Sequence, residues 1–448
     1  MSASDVAAPA AAGNSQLETP VQRGEPVLEI RGLCVDYGIG DEATHAVVDA
    51  NLVLRRGEVL GLAGESGSGK STLAYAATRL LREPGVITGG EVLFHSRPSA
   101  PSRPAGERGA NGERGAGNDT DDYAGKSAGN YAGNYAGPVA GSADLLELDE
   151  PELQRVRWSE ISVVMQSALN ALNPVISIGR QIEDVLRAHR PGMGRGGREK
   201  RAIELLEMVG ITGDRLRSYP HELSGGMRQR AMIAMALALE PQVVIMDEPT
   251  TALDVVTQRE ILEELIRLRD DLGFAALFIT HDLSLLIELA DEIAVMYAGR
   301  LVERAKSAAL FRAPRHPYTY GLLNSFPPMH GARIPMTGIA GSPPDLRAVP
   351  SGCAFHPRCP HALDRCHVDV PQLVPLSPVI PLIPPARDAR NRGSALNSDS
   401  PNGAEGREVA CWLHDPAKSV QVPEELSRPD PVTAAVPDPD ATEGGETS

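Results

Sequence analysis

The segment EVLGLAGESGSGKSTL, residues 58–73, decides the fold class. Its first half is an apolar strand, EVLGLAG (58–64), and its second half opens a helix. Between them Gly64, Glu65, Ser66, Gly67, Ser68, Gly69, Lys70 and Ser71 fit the spacing G-x-x-x-x-G-K-[ST]. Glycines let backbone N–H groups close around a phosphate, Lys70 meets the β/γ oxygens, and the Ser71 hydroxyl is a ligand for Mg²⁺. A plain glycine turn would explain the glycines alone. A second element, VVIMDEP (243–249), argues against it. There a buried strand ends in Asp247, placed to anchor Mg²⁺, and Glu248, placed to take a proton from an attacking water.

Outward from these motifs, strands alternate with helices. VLEIRGLCVDY (27–37) and AVVDANLVL (46–54) read as strands before the glycine loop. ISVVM (161–165) and AALFIT (275–280) read as strands after it, separated by helical stretches at 174–218, 225–239 and 257–271. This alternation predicts an α/β fold with a parallel or mixed sheet covered on both faces. Residues 1–26 and 417–448 read as unstructured tails, the latter with seven acidic and two basic side chains in residues 418–448. Residues 97–143, with near-repeats such as GERGANGERGAG, read as a disordered insertion within a domain of residues 27–300. After residue 301 the chain turns Pro-rich, and residues 301–416 are expected to form a second, smaller unit.

Composition excludes several functions. The 448 residues carry 43 basic and 59 acidic side chains, a net charge of −16, which gives no general attraction for nucleic-acid phosphates. The longest apolar run, Ala231–Leu239, is far short of the roughly 20 residues that span a bilayer. The first residues lack the basic start and apolar core of a secretory signal, so a cytosolic location is expected.

LSGGMRQR (223–230) sets Ser224, Gly225, Gly226 and Met227 at a helix start, a second anion-binding N-terminus in a chain that already has one. One nucleotide can use both only if two subunits face each other. At this point the sequence resembles an ATP-binding-cassette ATPase: a P-loop nucleotide-binding domain with a RecA-like core, an antiparallel β edge and an α-helical subdomain, here at about 168–235. The resemblance implies that 224–227 close over ATP held by a second ATPase subunit, identical or different. It implies that Tyr37 stacks on adenine beside Gly64–Thr72, that Gln166 is the lid glutamine near Mg²⁺, that Asp254 belongs to the D-loop, and that His281 is the switch histidine. Each of these four alone has a bland reading, as a loop residue, helix cap or core aromatic. Their order around the stronger motifs outweighs it.

NALNPV (170–175), VMYAGRLVE (295–303), HPYTYGLL (316–323) and GCAFHPRCPHALDRC (352–366) narrow the resemblance to ATPase subunits of oligopeptide and dipeptide importers, a branch that includes nickel importers. It implies ATP hydrolysis at the cytoplasmic face of the cell membrane, with two permease subunits and an extracytoplasmic substrate-binding protein as partners. Two readings from other classes are a soluble cassette ATPase working on nucleic acid or ribosomes and a non-hydrolysing regulatory subunit. The acidic balance argues against the first, and intact Lys70, Asp247, Glu248 and His281 against the second. Two features depart from the branch: Ser167-Ala168 follow Gln166 where Asp-Pro is usual, and the 97–143 insertion is extra.

Four of the five cysteines fall at Cys353, Cys359, Cys366 and Cys411, spaced C-x5-C, C-x6-C and C-x44-C. The short pairs of common zinc modules are missing. Four thiolates suit an iron–sulfur centre, and the resemblance implies a [4Fe–4S] cluster in some members. Zn²⁺, with His356, His361 or His367 as substitute ligands, and reduced cysteines packed as small hydrophobes stay open as alternatives. Packing of that last kind is the reading for Cys34.

Overall fold

The structure, a computed structural model, describes residues 24–38, 40, 43–97, 141–166, 171–251, 253–325, 338–376, 407–415, 422–423 and 426. The expected insertion, apart from residues 97 and 141–143, lies outside the described residues. So do most of both tails, Ser167-Ala168 and Ala252.

Two sheets form the frame. Strands β1 (Pro26–Tyr37), β2 (Thr44–Arg55), β4 (Gly85–His95) and β5 (Ser142–Asp144) make a four-stranded sheet in the order β2-β1-β4-β5, all antiparallel. The larger sheet runs β11-β12-β10-β9-β3-β8-β7-β6. Its strands are β3 (Val59–Ala63), β6 (Ile161–Val164), β7 (Val243–Asp247), β8 (Ala275–Ile279), β9 (Glu292–Tyr297), β10 (Arg300–Lys306), β11 (Val374–Pro375) and β12 (Glu408–Val409). The block β6-β7-β8-β3-β9 is parallel, while β10, β11 and β12 add antiparallel partners at one edge.

Alternation along each parallel strand separates two cores. Leu60, Leu62, Val243, Ile245, Ala275, Leu277 and Ile279 point into the core shared with the four-stranded sheet and with α1 (Lys70–Ala77). Val59, Ala63, Val244, Met246, Ala276 and Phe278 point the other way, into a core built with helices. Those helices include α3 (Ile178–His189), α4 (Arg195–Met208), α5 (Gly225–Ala236), α6 (Val255–Leu272) and α7 (Leu283–Leu289). A sheet buried on both faces needs near-continuous apolar strands, and β3, β7 and β8 are buried at all five positions. Elsewhere α2 (Glu150–Val156) starts at a capping box in which Asp149 accepts from the Glu152 N–H and the Glu152 carboxylate accepts from the Asp149 N–H.

Residues after 300 are stitched to the main sheet by β10, and α8 (Ser307–Arg312) and α9 (Pro317–Leu323) follow it. Leu426, in the stretch read as a tail, is buried, and its carbonyl accepts from Arg315 Nη1 at 2.6 Å.

Candidate active site

Parallel strands deliver their carboxyl ends to one edge of a sheet, the usual place for a ligand in this architecture. β3 ends at the glycine loop, β6 just before Gln166, β7 at Asp247-Glu248, and β8 just before Thr280-His281. Motifs spread over more than two hundred residues of sequence therefore meet.

The loop 64–69 turns tightly because its glycines permit it. At φ 100° Gly69 sits in the left-handed region, and a β-carbon there would lie 2.4 Å from the Ala46 carbonyl oxygen. One placed on Gly64 would lie 2.3 Å from the Met296 carbonyl oxygen. Gly69 is also the N-cap of α1, with no side-chain cap, so the first N–H groups of that helix are left to a ligand. Buried Lys70 donates to the carbonyls of Gly64 at 2.8 Å and Glu65 at 2.9 Å, and its amine also lies 3.4 Å from Ser68 Oγ. Burial pushes its pKa down, against the upward pull of Glu248, Asp247 and Glu65.

Asp247 is fully buried and accepts from Ser71 Oγ at 2.9 Å and from Tyr75 Oη at 2.8 Å. Burial pushes its carboxyl pKa up, and the two hydroxyls oppose that shift. A buried carboxylate joined to a hydroxyl beside an ammonium group is a hard-oxygen donor set of the kind Mg²⁺ takes, so the residues fit that ion. Tyr75 was not singled out from sequence. It lies on α1, one turn beyond Ser71, and that i, i+4 spacing is the signal that marks it.

Glu248 takes φ 46°, left-handed for a non-glycine residue, and its side chain is the hub of the site. Gln166 Nε2 donates to its Oε2 at 3.0 Å and Thr251 Oγ1 to the same oxygen at 3.1 Å, while His281 Nδ1 lies 3.2 Å from Oε1. Burial alone would raise its pKa. Hydrogen bonds from His281 and Thr251, with the charges of His281 and Lys70, together outweigh burial, and the carboxyl titrates below its usual range.

The other expected residues make contacts of their own. Tyr37 closes β1, its hydroxyl 3.4 Å from Thr72 Oγ1. Ser224 is the N-cap of α5 and accepts from the Met227 N–H at 3.3 Å. Asp254 caps α6 through the N–H and hydroxyl of Thr257, at 3.0 and 2.8 Å. Gly226 abuts the same threonine, since a β-carbon there would lie 2.6 Å from Thr257 Cγ2.

In the C-terminal region, Cys353, Cys359 and Cys411 are thiols whose pKa values burial pushes up, Cys359 to about 11. Charge on neighbouring cysteines adds to each shift, so the four sulfurs, Cys366 included, share one neighbourhood. Yet among the described residues no group of three or more His, Cys, Asp or Glu side chains is gathered to hold a metal ion. The donor chemistry fits a soft metal centre, whereas the side chains are not drawn into a ligand cage. Cys34 is half-buried in β1, where its sulfur accepts from the Asp49 N–H at 3.3 Å and donates to the Gly32 carbonyl at 3.5 Å.

Known proteins place this arrangement. The family described as "ABC transporter" matches residues 47–112 and 134–251, and "Oligopeptide/dipeptide transporter, C-terminal region" matches 302–366. A putative peptide import ATP-binding protein of Brucella melitensis is 40% identical over 358 residues, 78% of this chain and 94% of its own. The oligopeptide transport ATP-binding protein OppD of Salmonella typhimurium is 37% identical over 366 residues, 81% of this chain and 95% of its own. OppD of Escherichia coli is 37% identical over 347 residues, 77% and 89%. With the phosphate loop, the acidic strand end and the signature helix all in place, the chain belongs to the ATP-binding subunits of ABC transporters and is an ATPase.

Proposed function

We propose that the chain energises peptide import: two such subunits close on ATP, reopen on hydrolysis, and drive two permease subunits fed by an extracytoplasmic binding protein, from the cytoplasmic face of the membrane. The names of its relatives support peptide as cargo, with nickel or another solute as the alternative. The observation that carries the catalytic half is the Glu248 hub, a carboxylate oriented by Gln166, Thr251 and His281 and titrating below its usual range under the hydrogen bonds of His281 and Thr251 and the charges of His281 and Lys70.

Lys70 leaves its two carbonyls for the β/γ oxygens of ATP, with the free N–H groups of α1 completing the anion cradle and Tyr37 covering the adenine. Ser71 and Asp247, with Gln166 nearby, would hold Mg²⁺, which supplies charge neutralisation on the phosphates. Glu248 orients the attacking water and takes its proton, while His281 and Gln166 fix the carboxylate. Gly64–Thr72 of one chain and Ser224–Met227 of the other bury the γ-phosphate between them, so the two surfaces stay joined only while it is intact. Asp254 holds the start of α6 at the same junction.

Glu248→Gln keeps the shape of the hub and removes the base. Turnover is expected to fall by about 10² to 10⁴, the usual contribution of a general base, with ATP binding retained and the closed dimer accumulating on its permease. Steady-state hydrolysis at the wild-type rate would refute the assignment.

In the C-terminal region the proposal includes a [4Fe–4S] cluster on Cys353, Cys359, Cys366 and Cys411, with Zn²⁺ as the alternative. The upward influence of neighbouring cysteines on Cys353, Cys359 and Cys411 supports it. Anaerobically purified protein is expected to hold about four irons with matching sulfide per chain, lost in Cys359→Ser. Stoichiometric zinc without sulfide, or no metal at all, would remove the cluster.

A further inference from the structure

Glu65, the second residue of the phosphate loop, is gripped by the C-terminal region from two directions. Its N–H donates to Tyr318 Oη at 2.8 Å, and its carboxylate takes both terminal nitrogens of Arg358, at 2.7 and 3.0 Å. These partners stand 253 and 293 residues away in sequence, both inside the matched segment 302–366. On its remaining side the Glu65 carbonyl accepts from Lys70 Nζ. One residue thus touches the C-terminal region through its N–H and side chain, and the phosphate-binding lysine through its carbonyl.

The grip is built rigidly. The Arg358 side chain is 6% exposed, its Nε donates to the Ala340 carbonyl at 2.9 Å, and Nη1 also reaches Tyr297 Oη at 3.3 Å. Its guanidinium lies 5.9 and 6.0 Å from the ring centroids of Tyr297 and Phe355. Tyr318 is fully buried, packed 4.5 Å from the Tyr297 ring and 5.4 Å from that of Phe355. Tyr297 ends β9, the strand beside β3, so the clamp and the loop are fixed to adjacent strands of one sheet. A bidentate Arg–carboxylate pair fixes direction as well as distance. Left alone, a glycine-rich loop would have to be ordered by the nucleotide at the expense of affinity.

We propose that Arg358 and Tyr318 are positioning residues for ATP binding, bracing the phosphate loop through Glu65 so that it is formed before nucleotide arrives. The C-terminal region is then a working part of the nucleotide site. The inference rests on the loop being the ATP site, which Lys70→Ala tests separately.

The experiment is ATP titration and steady-state hydrolysis by the full chain with its permease partners. In Arg358→Met, KM for ATP is expected to rise on the order of tenfold, as coupling between contacting groups commonly gives, while kcat changes by less than about twofold. Arg358→Lys, which keeps the charge and loses the fork, should recover part of the loss. Glu65→Gln should raise KM as well, and the double variant Arg358→Met/Glu65→Gln should be no worse than the poorer single one.

KM within about twofold of wild type in a folded Arg358→Met, or additive effects in the double variant, would overturn the brace. Should Arg358→Met not fold, Glu65→Gln decides from the other side, since an unchanged KM there is equally fatal. Nucleotide binding undiminished in Lys70→Ala would instead sink the loop as the ATP site and leave the brace without a role.

Discussion

Two helix N-termini proposed to meet the nucleotide are finished to different degrees. At α1 the loop residues are already in place: Gly69 leaves the helix N–H groups uncapped, Lys70 is bound to two carbonyls, and Glu65 is clamped from the C-terminal region. At α5 the helix is capped by its own Ser224, and β-carbons placed on Gly225 and Gly226 would meet Leu253 and Thr257. The first is a complete phosphate socket within one chain. On the proposed function the second is half of a site that another subunit completes. The same local motif, glycines before a helix, thus yields a binding site or an interface according to what the fold puts beside it.

The sharpest way to break that contrast is to unbalance the first socket. Lys70→Ala is expected to weaken ATP binding to a single chain on the order of a hundredfold, because charge-assisted hydrogen bonds of about 1.5–3 kcal/mol have no substitute there. Equilibrium titration with a fluorescent ATP analogue measures it, and wild-type affinity would mean the two termini are not distinguished as described.

Ser224→Ala makes the complementary cut and a smaller one. Its cap is worth about 1 kcal/mol to the helix, and affinity for ATP in the isolated chain should not move. ATP-driven closure, read by sedimentation in the Glu248→Gln background, should weaken. A lowered affinity in the isolated chain would show that α5 already contributes to the nucleotide site without a partner.

Much of this was legible in sequence because the chemistry is local. The phosphate loop, the strand ending in Asp247-Glu248 and the signature each lie within eight residues, and strands such as 243–247 and 275–279 are continuous apolar runs bounded by turns. What sequence could not convey falls into two kinds. β4 was hidden by Gly89-Gly90, which interrupt the alternation. Gly90 sits at φ 101°, and a β-carbon there would lie 2.5 Å from Leu33 Cα in the neighbouring strand, so the position needs glycine for a reason visible only once β1 is beside it. β11 and β12, two residues each, carry no period at all. The second kind is distance: nothing near Glu65 announces Arg358, and an arginine between a proline and a cysteine reads as surface until the sheet brings it back.

β10 has a bearing on where this protein can be cut. It begins at Arg300, where the composition changes, yet it pairs with β9 along its length and takes β12 on its other side through Glu303 and Arg304. Trimming the chain at the change in composition would strip β9 of its partner and leave a buried apolar strand as an open edge, a template for chain-to-chain association. A cassette shortened in this way would meet its own copies edge to edge before it met a permease. The seam that looks in sequence like a place to divide the molecule is, in the sheet, the selvedge that keeps it from unravelling into aggregates.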